Sequence, residues 1–320
     1  MTFIHIRREI YMFFQRSFAL FLTFLFITSA STAQRSQGTE KLEKLAFDRL
    51  AAGDAEGAIG DFTRVIDRLT RIDDPNSGAG SGNSSRLGEG VRVADRDAVN
   101  AFLGRGRAYV AKHQLDEAIK DFERAISVAP AEAGGYFMRG AVRLSQKKHK
   151  LALEDFERAL KLDRNHAPSY AGRGMTRLEM GDAKGALADY DRAIALQPKN
   201  AALYAHRGDA RRELRDKDGS WADYEEALRL QPDLVMALRG RGAWWAQAGN
   251  PEKAIADFDR ALKIEPQDDR SYLGRGLVNL RLGNTAAAET DLREAVRLAP
   301  HLANEVAAKR KELETTAKLH

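Results

Sequence analysis

The chain has 320 residues, of which 43% are hydrophobic and 30% are charged, and its net charge is +5. The first 33 residues hold three arginines and one glutamate, so +3 remains for the rest of the chain. Such a mixed-sign balance argues against a nucleic-acid-binding surface. The absence of cysteine excludes disulfides, thiol catalysis and thiolate metal sites.

The N-terminus has the pattern of a signal peptide. Three arginines precede an apolar run, Phe18–Ile27, and small residues follow it as far as Ala33. The run is short for a membrane span and small residues are typical of a cleavage site, so we predict a signal peptide over residues 1–33. An uncleaved anchor that includes the run Ile10–Phe14 is the alternative, and Met12 is an alternative start.

The same leader predicts where the protein works. Arginines before an apolar run keep that end of the chain on the inner side of the membrane. We therefore expect an exported protein in a bacterial periplasm, or one anchored in the inner membrane if the leader is retained. In the second case the leader would be the only membrane contact of the protein.

An arginine followed by a glycine recurs every 34 residues along the chain. The pairs are Arg105–Gly106, Arg139–Gly140, Arg173–Gly174, Arg207–Gly208, Arg241–Gly242 and Arg275–Gly276. A fixed period of this length indicates a repeat architecture, in which each repeat buries its apolar face against its neighbours. The repeats in this register are 99–132, 133–166, 167–200, 201–234, 235–268 and 269–302.

Each repeat has the composition of two packed helices, A and B. Helix A carries the repeat glycine, and helix B carries a large residue between two small ones. The large residues are Phe122, Phe156, Tyr190, Tyr224, Phe258 and Leu292. Small residues lie four positions before and three after each of them, so the two helices can approach closely around the large side chain. A proline closes most repeats because it cannot continue a helix.

Weaker patterns flank the regular repeats. Residues 39–70 predict two short helices that match the later repeats at a shift of 60 residues, with Ala46 in place of the repeat glycine. Residues 71–98 are predicted to be a flexible insertion, because Asp74–Ser85 is rich in glycine and serine. Residues 303–320 predict a further helix that would cap the last repeat.

The pattern resembles the tetratricopeptide repeat family over residues 39–302. The resemblance rests on the repeat glycine, on the helix B residues and on a tyrosine near the start of helix A, at Tyr136, Tyr170, Tyr204 and Tyr272. It implies an all-α fold, a right-handed superhelical solenoid of helix-turn-helix repeats with a C-terminal capping helix. It also implies a scaffold that binds proteins.

An aspartate follows each repeat arginine by sixteen residues. These aspartates are Asp121, Asp155, Asp189, Asp223, Asp257 and Asp291. A feature this regular is typical of architecture, whereas binding surfaces vary from repeat to repeat. We predict one ion pair per repeat that joins helix A to helix B, and not a charged ladder for a ligand.

No residue set in the sequence has the spacing of a catalytic or metal site. The seven histidines lie singly, no serine stands in a nucleophile elbow and no H-E-x-x-H motif occurs. His113, His149 and His166 fall in predicted turns, where we expect them to be solvated. The three tryptophans are expected to pack, with Trp244 as a local surface bulge. We predict no catalytic residue, no metal and no cofactor.

The candidate site consists of residues beside the repeat glycine that do not repeat. We define the groove face as the residues three before each repeat glycine and one, four and five after it, which share one face of helix A. In the tetratricopeptide repeat family this face lines a concave groove. The residues predicted to bind a partner are Leu103, Arg107, Phe137, Leu144, Met175, Leu178, Asp209, Arg212 and Arg239.

The groove face is apolar in its first three repeats and polar in the next two. An apolar strip suits an amphipathic helix or an extended peptide, with charged residues setting its register. The alternative is that the apolar residues only pack between successive helices A. Chaperone-binding members of the family hold a carboxylate with lysines where this chain has Leu103 and Phe137, which argues against that activity.

These features predict an exported scaffold that binds a partner protein segment and assists assembly of an envelope or secretion complex. Two other classes remain open. A self-assembling structural solenoid would stack end to end, although the capping helix argues against it. An enzyme with its site in the groove would need an acid–base pair, and the groove face offers only Asp209, Glu179 and Glu213 without a histidine.

Overall fold

The computed structural model describes residues 37–72, 86–87 and 91–317. The predicted signal peptide and its cleavage site after Ala33 lie outside these ranges, as does most of the insertion predicted for 71–98. Among the helices of the described ranges, none is both long and apolar enough to cross a membrane.

Fifteen α-helices, one 3-10 helix and one two-stranded hairpin make up the described residues. Strands β1 (Arg86–Leu87) and β2 (Val91–Arg92) pair antiparallel. The α-helices are α1 (Gln37–Ala51), α2 (Ala55–Ile72), α3 (Val93–Ala111), α4 (Leu115–Val128), α5 (Ala133–Ser145), α6 (His149–Leu162), α7 (Ala167–Glu179), α8 (Ala183–Leu196), α9 (Ala201–Glu213), α10 (Lys217–Leu230), α11 (Val235–Gln247), α12 (Pro251–Ile264), α13 (Asp269–Arg281), α14 (Thr285–Leu298) and α15 (Ala303–Ala317). The 3-10 helix, Pro300–Leu302, directly precedes α15.

The chain divides into two compact bodies, which we call the N-terminal body, through Gly172, and the C-terminal body, from Arg173. In the N-terminal body each helix from α1 to α6 packs against the next one. In the C-terminal body the same is true from α8 to α14. This is the all-α helix-turn-helix solenoid that the 34-residue period predicts.

Helix α3 begins earlier than the repeat register predicts. It starts at Val93, six residues before the predicted first regular repeat, and it directly follows strand β2. No glycine or proline separates Val93 from Val99, so no strong helix breaker prevents the extension towards the N-terminus. The short hairpin formed by β1 and β2 was not predicted.

An aromatic ring of helix B is buried between two A helices. A Cβ atom on Gly208 of α9 would lie 2.8 Å from the Tyr224 ring, and one on Gly240 of α11 would lie 2.4 Å from it. Any larger residue at either position would push the helices apart, so the predicted role of the repeat glycine is confirmed. Equivalent contacts are Phe62–Gly104, Phe122–Gly106, Phe156–Gly140, Phe156–Gly172, Phe258–Gly242 and Phe258–Gly274.

All six predicted arginine–aspartate ion pairs form. The pairs and their N–O distances are Arg105–Asp121 (2.8 Å), Arg139–Asp155 (2.7 Å), Arg173–Asp189 (2.6 Å), Arg207–Asp223 (2.7 Å), Arg241–Asp257 (2.7 Å) and Arg275–Asp291 (2.7 Å). The aspartates are buried, so each pair ties helix A to helix B inside the repeat. The hydrogen bonds that Arg105 and Arg241 donate to their aspartates raise the pKa of both arginines, which keeps them charged.

Three of these aspartates bind a second arginine from the same helix A. The additional pairs are Arg143–Asp155 (2.8 Å), Arg177–Asp189 (2.8 Å) and Arg211–Asp223 (2.9 Å). Tyr109, Trp245 and Asn279 occupy the equivalent position in the other three repeats. The doubly paired aspartate side chains are 2–3% exposed, whereas the singly paired ones are 6–9% exposed.

The repeat arginine also reaches back to helix B of the preceding repeat. In the C-terminal body, Arg207 lies 2.8 Å from Asp191 and Arg241 lies 2.6 Å from Glu225. Arg275 makes the same kind of contact with an acid of α12. One guanidinium group therefore connects three helices, which sets the register between successive repeats.

Each turn between helix A and helix B contains one residue with positive φ. These residues are Gly53, His113, Lys147, Gly181, Arg215, Gly249 and Gly283. Glycine adopts this left-handed conformation without strain, whereas other residues do so at a cost. At the C-terminal end, Leu302 and Val306 pack against Leu273 and Leu292, so α15 covers the last repeat as predicted.

Candidate functional site

The groove face lies on the A helices, which contact one another within each body. In the N-terminal body α3 contacts α5, and in the C-terminal body α9 contacts α11 and α11 contacts α13. Because the face runs along these contacts, some of its side chains lie between helices and others point to solvent. Their burial decides which of them a partner could reach.

Phe137 and Leu144, the predicted apolar anchors of α5, are core residues. Phe137 is 5% exposed and Leu144 is 1% exposed. The Phe137 ring lies 5.2 Å from the ring of His166 and 6.2 Å from that of Phe156, measured between centroids. The alternative of packing between helices therefore holds for these two residues, and their prediction as anchors is corrected.

The other apolar residues of the predicted site differ in exposure. Met175 is 8% exposed, so it also belongs mainly to the core of its body. Leu178 and Leu103 are partly exposed, although Leu103 packs at one side against the cluster that contains Val99. Arg107 is partly exposed on the same helix as Leu103. The exposed apolar area of the groove face is therefore smaller than predicted.

Asp209 and Arg212 form a polar cluster with Tyr224 in the C-terminal body. The Tyr224 hydroxyl donates to Asp209 Oδ1 at 2.7 Å, and Arg212 Nη2 lies 3.5 Å from the same oxygen. Burial and the charge of Asp209 raise the pKa of Tyr224, so its hydroxyl remains a donor. Burial lowers the pKa of Arg212, but Asp209, with smaller contributions from Tyr224 and Glu213, raises that pKa by more. The guanidinium therefore stays charged.

Arg212 keeps hydrogen-bonding capacity in this cluster. Its side chain is 30% exposed, and its buried Nε atom finds no hydrogen-bond partner among the residues that the structure describes. A guanidinium group has five N–H donors in a fixed fork. Because Nε is inaccessible, the terminal Nη groups are the part of Arg212 that an acceptor from outside could reach, and Nη2 lies 3.5 Å from its nearest carboxylate oxygen. Arg212 is the predicted site residue whose geometry most favours a partner.

Arg239 belongs to a separate contact between α11 and the start of α13. Its Nη1 atom lies 3.1 Å from Asp268 Oδ1, and the Asp268 side chain is fully buried. Asp268 also accepts a hydrogen bond from the Ser271 backbone N–H at 3.1 Å, so it caps the N-terminus of α13. The charge of Arg239 acts on Arg212, which places the two guanidinium groups near each other.

His166 is buried, which corrects the expectation that it is solvated. It is 7% exposed, its Nδ1 atom lies 2.7 Å from Ser169 Oγ, and its ring meets that of Phe137 edge-on. Burial lowers the pKa of His166 to about 4, against a smaller raising effect of Asp163. The turn position suggested exposure, but the turn folds back over α5.

The three tryptophans gather in one cluster, which the sequence spacing did not reveal. Ring centroids of Trp221 and Trp244 are 4.6 Å apart, those of Trp221 and Trp245 are 4.7 Å apart, and Trp244 and Trp245 are separated by 5.1 Å. The Trp244 indole N–H donates to the Lys217 carbonyl at 3.0 Å, and Lys253 Nζ lies 4.2 Å from the Trp245 ring centroid. All three rings remain partly exposed.

In the described part of the chain, no group of three histidine, aspartate or glutamate residues is placed to hold a metal ion. Of the groove-face acids, Asp209 is bound to Tyr224 and Glu213 lies on the exposed end of α9. His206, on the same helix, stacks on Tyr190 with the two ring centroids 5.7 Å apart. The contacts described for the groove face are ion pairs, hydrogen bonds and apolar packing.

The paired helices, the glycine–ring contacts and the arginine–aspartate pairs define the class: an α-helical repeat protein with an invariant core and a variable face. A model of the tetratricopeptide repeat family matches residues 103–167, 172–235, 207–269 and 245–303. The chain therefore belongs to the tetratricopeptide repeat family, whose fold serves as a scaffold for protein–protein interaction. No curated protein sequence matches the chain.

Solved structures with the same fold come from proteins of low sequence identity. A tetratricopeptide repeat protein from Parabacteroides merdae is 16% identical, covers 87% of this chain and 100% of its own, and has a TM-score of 0.62. PilF of Pseudomonas aeruginosa is 17% identical, covers 69% of this chain and 99% of its own, and has a TM-score of 0.57. The Cut9–Hcn1 hetero-tetramer of the APC/C matches at 15% identity, covering 88% of this chain and 60% of that one, with a TM-score of 0.61. These similarities concern the fold.

Proposed function

We propose that this protein is an exported, non-enzymatic scaffold that binds a segment of a partner protein along the groove face. In this role it would assist assembly of an envelope or secretion complex. The observation that carries the proposal is Arg212, a charged side chain that is 30% exposed and whose Nη2 atom lies 3.5 Å from its nearest carboxylate oxygen, Asp209 Oδ1. By contrast, Arg207 and Arg211, which join helix A to helix B, donate shorter hydrogen bonds to Asp223, at 2.7 and 2.9 Å.

The polar part of the groove face in the C-terminal body supports this proposal. Asp209 is held by Tyr224, so the carboxylate beside Arg212 has a fixed position. Ala243 and Ala246, the groove-face residues of α11, are small and partly exposed. Small side chains beside a charged pair leave room for a partner backbone. A peptide carbonyl or carboxylate would complete the hydrogen bonding of Arg212.

Apolar contacts with a partner would come from those groove-face residues that remain partly exposed, and not from Phe137 and Leu144. Leu178 lies on the groove face of the same body as Arg212, and Leu103 with Arg107 occupies the equivalent face of the N-terminal body. Phe137 and Leu144 shape the helix beneath that face without offering area to a partner. An amphipathic helix or an extended segment with one apolar anchor and one acceptor would fit these contacts.

Export is part of the proposal and rests on the leader described above. The basic residues and the short apolar run support entry into the secretion pathway, with the repeats delivered to the periplasm. Mass spectrometry of the protein from the native host tests this directly. We expect a mature chain that begins at Gln34, recovered with periplasmic contents. A chain recovered with its leader from the cytosol would contradict export.

Binding is tested with a pair of charge-reversing variants in the native host. Leu178→Glu combined with Arg212→Glu should reduce the yield of crosslinked partners at least tenfold. It removes the apolar anchor and replaces the positive charge that would bind an acceptor of the partner segment. Arg260→Glu is the matched control, since Arg260 is exposed on α12 and its ion pair is with Asp233 of the loop between α10 and α11. Partners recovered equally with both variants would refute binding on this face.

Circular dichroism melting separates loss of binding from loss of fold. Leu178 and Arg212 are both partly exposed, so the double variant should melt within a few degrees of the natural protein. If the double variant melts much lower, the two single variants carry the test. Each single variant should then yield fewer crosslinked partners than the natural protein, according to the contact that it removes.

A further inference from the structure

One edge of the C-terminal body exposes apolar side chains in successive repeats. We call it the turn edge, because it is formed by the turns between helix A and helix B. Met180 and Leu282 stand at the same repeat position, directly before the positive-φ residue, and are 47% and 44% exposed. Leu214 occupies that position in a third repeat and is partly exposed. Equivalent positions of successive repeats lie along one side of a solenoid, so these residues form a row.

The tryptophan cluster belongs to the same edge. Trp244 and Trp245 lie in the last turn of α11, and Trp221 lies in the second turn of α10. They are the only tryptophans of the chain. Trp244 replaces a small or β-branched residue that is buried in the other regular repeats, and Trp245 replaces the second arginine found in three of them. Two neighbouring departures from the repeat thus add exposed aromatic area at one place.

The charges at this edge are unequal in sign. Four cations there have no ion-pair partner among the described residues: Lys184, Arg215, Lys217 and Lys253. Two acids, Asp218 and Glu252, share that property. Two further acids, Asp182 and Asp216, accept hydrogen bonds from the Gly185 and Gly219 backbone N–H groups and are paired with Arg177 and Arg211 at 3.9 and 3.7 Å. The unpaired charge of the turn edge is therefore positive.

We propose that the turn edge of the C-terminal body binds the surface of an anionic phospholipid bilayer. Tryptophan is enriched at the membrane–water interface, where its ring is apolar and its N–H is polar. Lysine and arginine contribute apolar stems while their charges meet anionic headgroups. A row of turn tips has the geometry to meet a flat surface at several points. A peptide, in contrast, is usually gripped in a groove.

This proposal is independent of the groove face. The groove-face residues lie on the A helices at positions that face neighbouring A helices, whereas the turn edge consists of helix ends and turns. It also adds a membrane contact besides the leader. Failure of partner binding on the groove face would leave the turn edge untouched, and the reverse also holds.

Tryptophan fluorescence of the full-length chain tests the proposal, because every tryptophan lies at the turn edge and the leader contains none. The probe is a vesicle of phosphatidylcholine with about one third phosphatidylglycerol, carrying brominated acyl chains that quench indole emission on contact. We expect strong quenching, with much weaker quenching by pure phosphatidylcholine. Added salt should reduce it, since the attraction to anionic headgroups is screened.

Met180→Ser combined with Leu282→Ser removes two exposed apolar side chains of the turn edge and keeps the three tryptophans whose fluorescence is measured. This double variant should weaken quenching at least tenfold. Ile264→Ser is the matched control, because Ile264 is 39% exposed at the end of α12, where the helix leads into the next repeat. Trp245→Arg, which restores the residue of other repeats, should also weaken quenching and should fold normally.

Three results would overturn the proposal. The first is absence of quenching with anionic vesicles, and the second is equal quenching with and without phosphatidylglycerol. The third is a Met180→Ser/Leu282→Ser variant that is quenched like the natural protein but loses a crosslinked protein partner. That result would make the turn edge a protein interface. The leader is present in every variant, so tethering by it cannot produce the expected difference.

Discussion

The charge of the buried aspartates is compensated in two different ways in the regular repeats. One is found in repeats 133–166, 167–200 and 201–234, and the other in the remaining three. Asp155, Asp189 and Asp223 each bind two arginines of helix A and are nearly inaccessible. Asp121, Asp257 and Asp291 each bind one and keep slightly more contact with water. A second arginine permits deeper burial of the carboxylate, because a buried charge must be compensated within the protein.

The difference indicates that the more deeply an aspartate is buried, the more the stability of its repeat depends on it. A carboxylate that is held by two cations leaves both of them uncompensated when it is removed. A carboxylate held by one cation at a wetter site leaves less unpaired charge. The same repeat position can therefore be rigid in one repeat and tolerant in another, although the arginine–aspartate pair looks identical in sequence.

The largest expected effect comes from removing one aspartate of each kind. Asp189→Ala should lower the free energy of unfolding by about 3–4 kcal/mol, since Arg173 and Arg177 lose their shared partner. Asp257→Ala should cost about 1–2 kcal/mol, because only Arg241 is affected and Glu225 still pairs with it. Urea denaturation of the two variants measures both values. Equal losses would remove the distinction between the two kinds of repeat.

Neither aspartate substitution should alter partner binding, because both carboxylates are buried behind the groove face. Hydrogen exchange of the C-terminal body should show whether the loss is confined to the affected repeat. Solenoids unfold repeat by repeat when one interface weakens, so local exchange is more informative than one melting temperature.

Unlike the charged pairs, His166 is buried in its neutral form, and acid titration measures its effect on stability. His166 has its pKa lowered to about 4 in the fold, so the unfolded chain binds the proton more readily. Its contribution to stability is complete above pH 6.5, falls as the pH drops towards 4 and is constant below that. The loss should reach about 3 kcal/mol.

His166→Asn supplies the control for this titration, because Asn200 occupies the equivalent position one repeat later. Denaturation midpoints measured between pH 7 and pH 4 should show a smaller acid loss in the variant. A variant that follows the natural protein through the whole range would show that His166 does not dominate this pH window.

A substitution can convert a singly paired repeat into a doubly paired one. In Trp245→Arg the new arginine stands where Arg211 stands one repeat earlier, so it should reach Asp257. The cost of Asp257→Ala should then rise by about 1–2 kcal/mol relative to its cost in the natural protein. A double-mutant cycle from urea midpoints gives this coupling, and a coupling near zero would show that neighbouring side chains prevent the second pair.

The smallest effect concerns the turns of the same two repeats. Arg215→Gly should stabilise the protein by about 0.5–1 kcal/mol, because φ is +60° at Arg215 and glycine adopts that conformation without strain. Gly249→Ala, at φ +77°, should lose about 1 kcal/mol for the same reason. Thermal melting compares the two. Changes of the same sign would show that the turns are not governed by backbone conformation.

The fold and the repeat ion pairs were predictable because they rest on residue types at fixed offsets. The period of the Arg-Gly pair located the helices, and the offset of sixteen residues located the aspartates. The second arginine escaped notice because it occurs in only three regular repeats, as Arg143, Arg177 and Arg211. A partial repeat is hard to separate from chance without the geometry.

The site was less predictable, because burial depends on neighbouring helices and not on helical spacing. Phe137 and Met175 occupy the groove face by periodicity, yet side chains of other helices cover them. His166 was expected in solvent since it precedes a helix, but its ring meets Phe137. Trp221 and Trp244 come together because α10 and α11 cross, which no short sequence spacing expresses.

The reach of the repeat arginine has a consequence for how such a chain can change length. Arg241 binds Asp257 sixteen residues ahead and Glu225 sixteen residues behind, and Arg275 has acceptors at the same two offsets. A duplicated segment of one full period would bring its own donor and both kinds of acceptor to each new junction. The gene could thus add or lose whole repeats while every junction stayed chemically complete, whereas a segment of any other length would leave two unmatched ends.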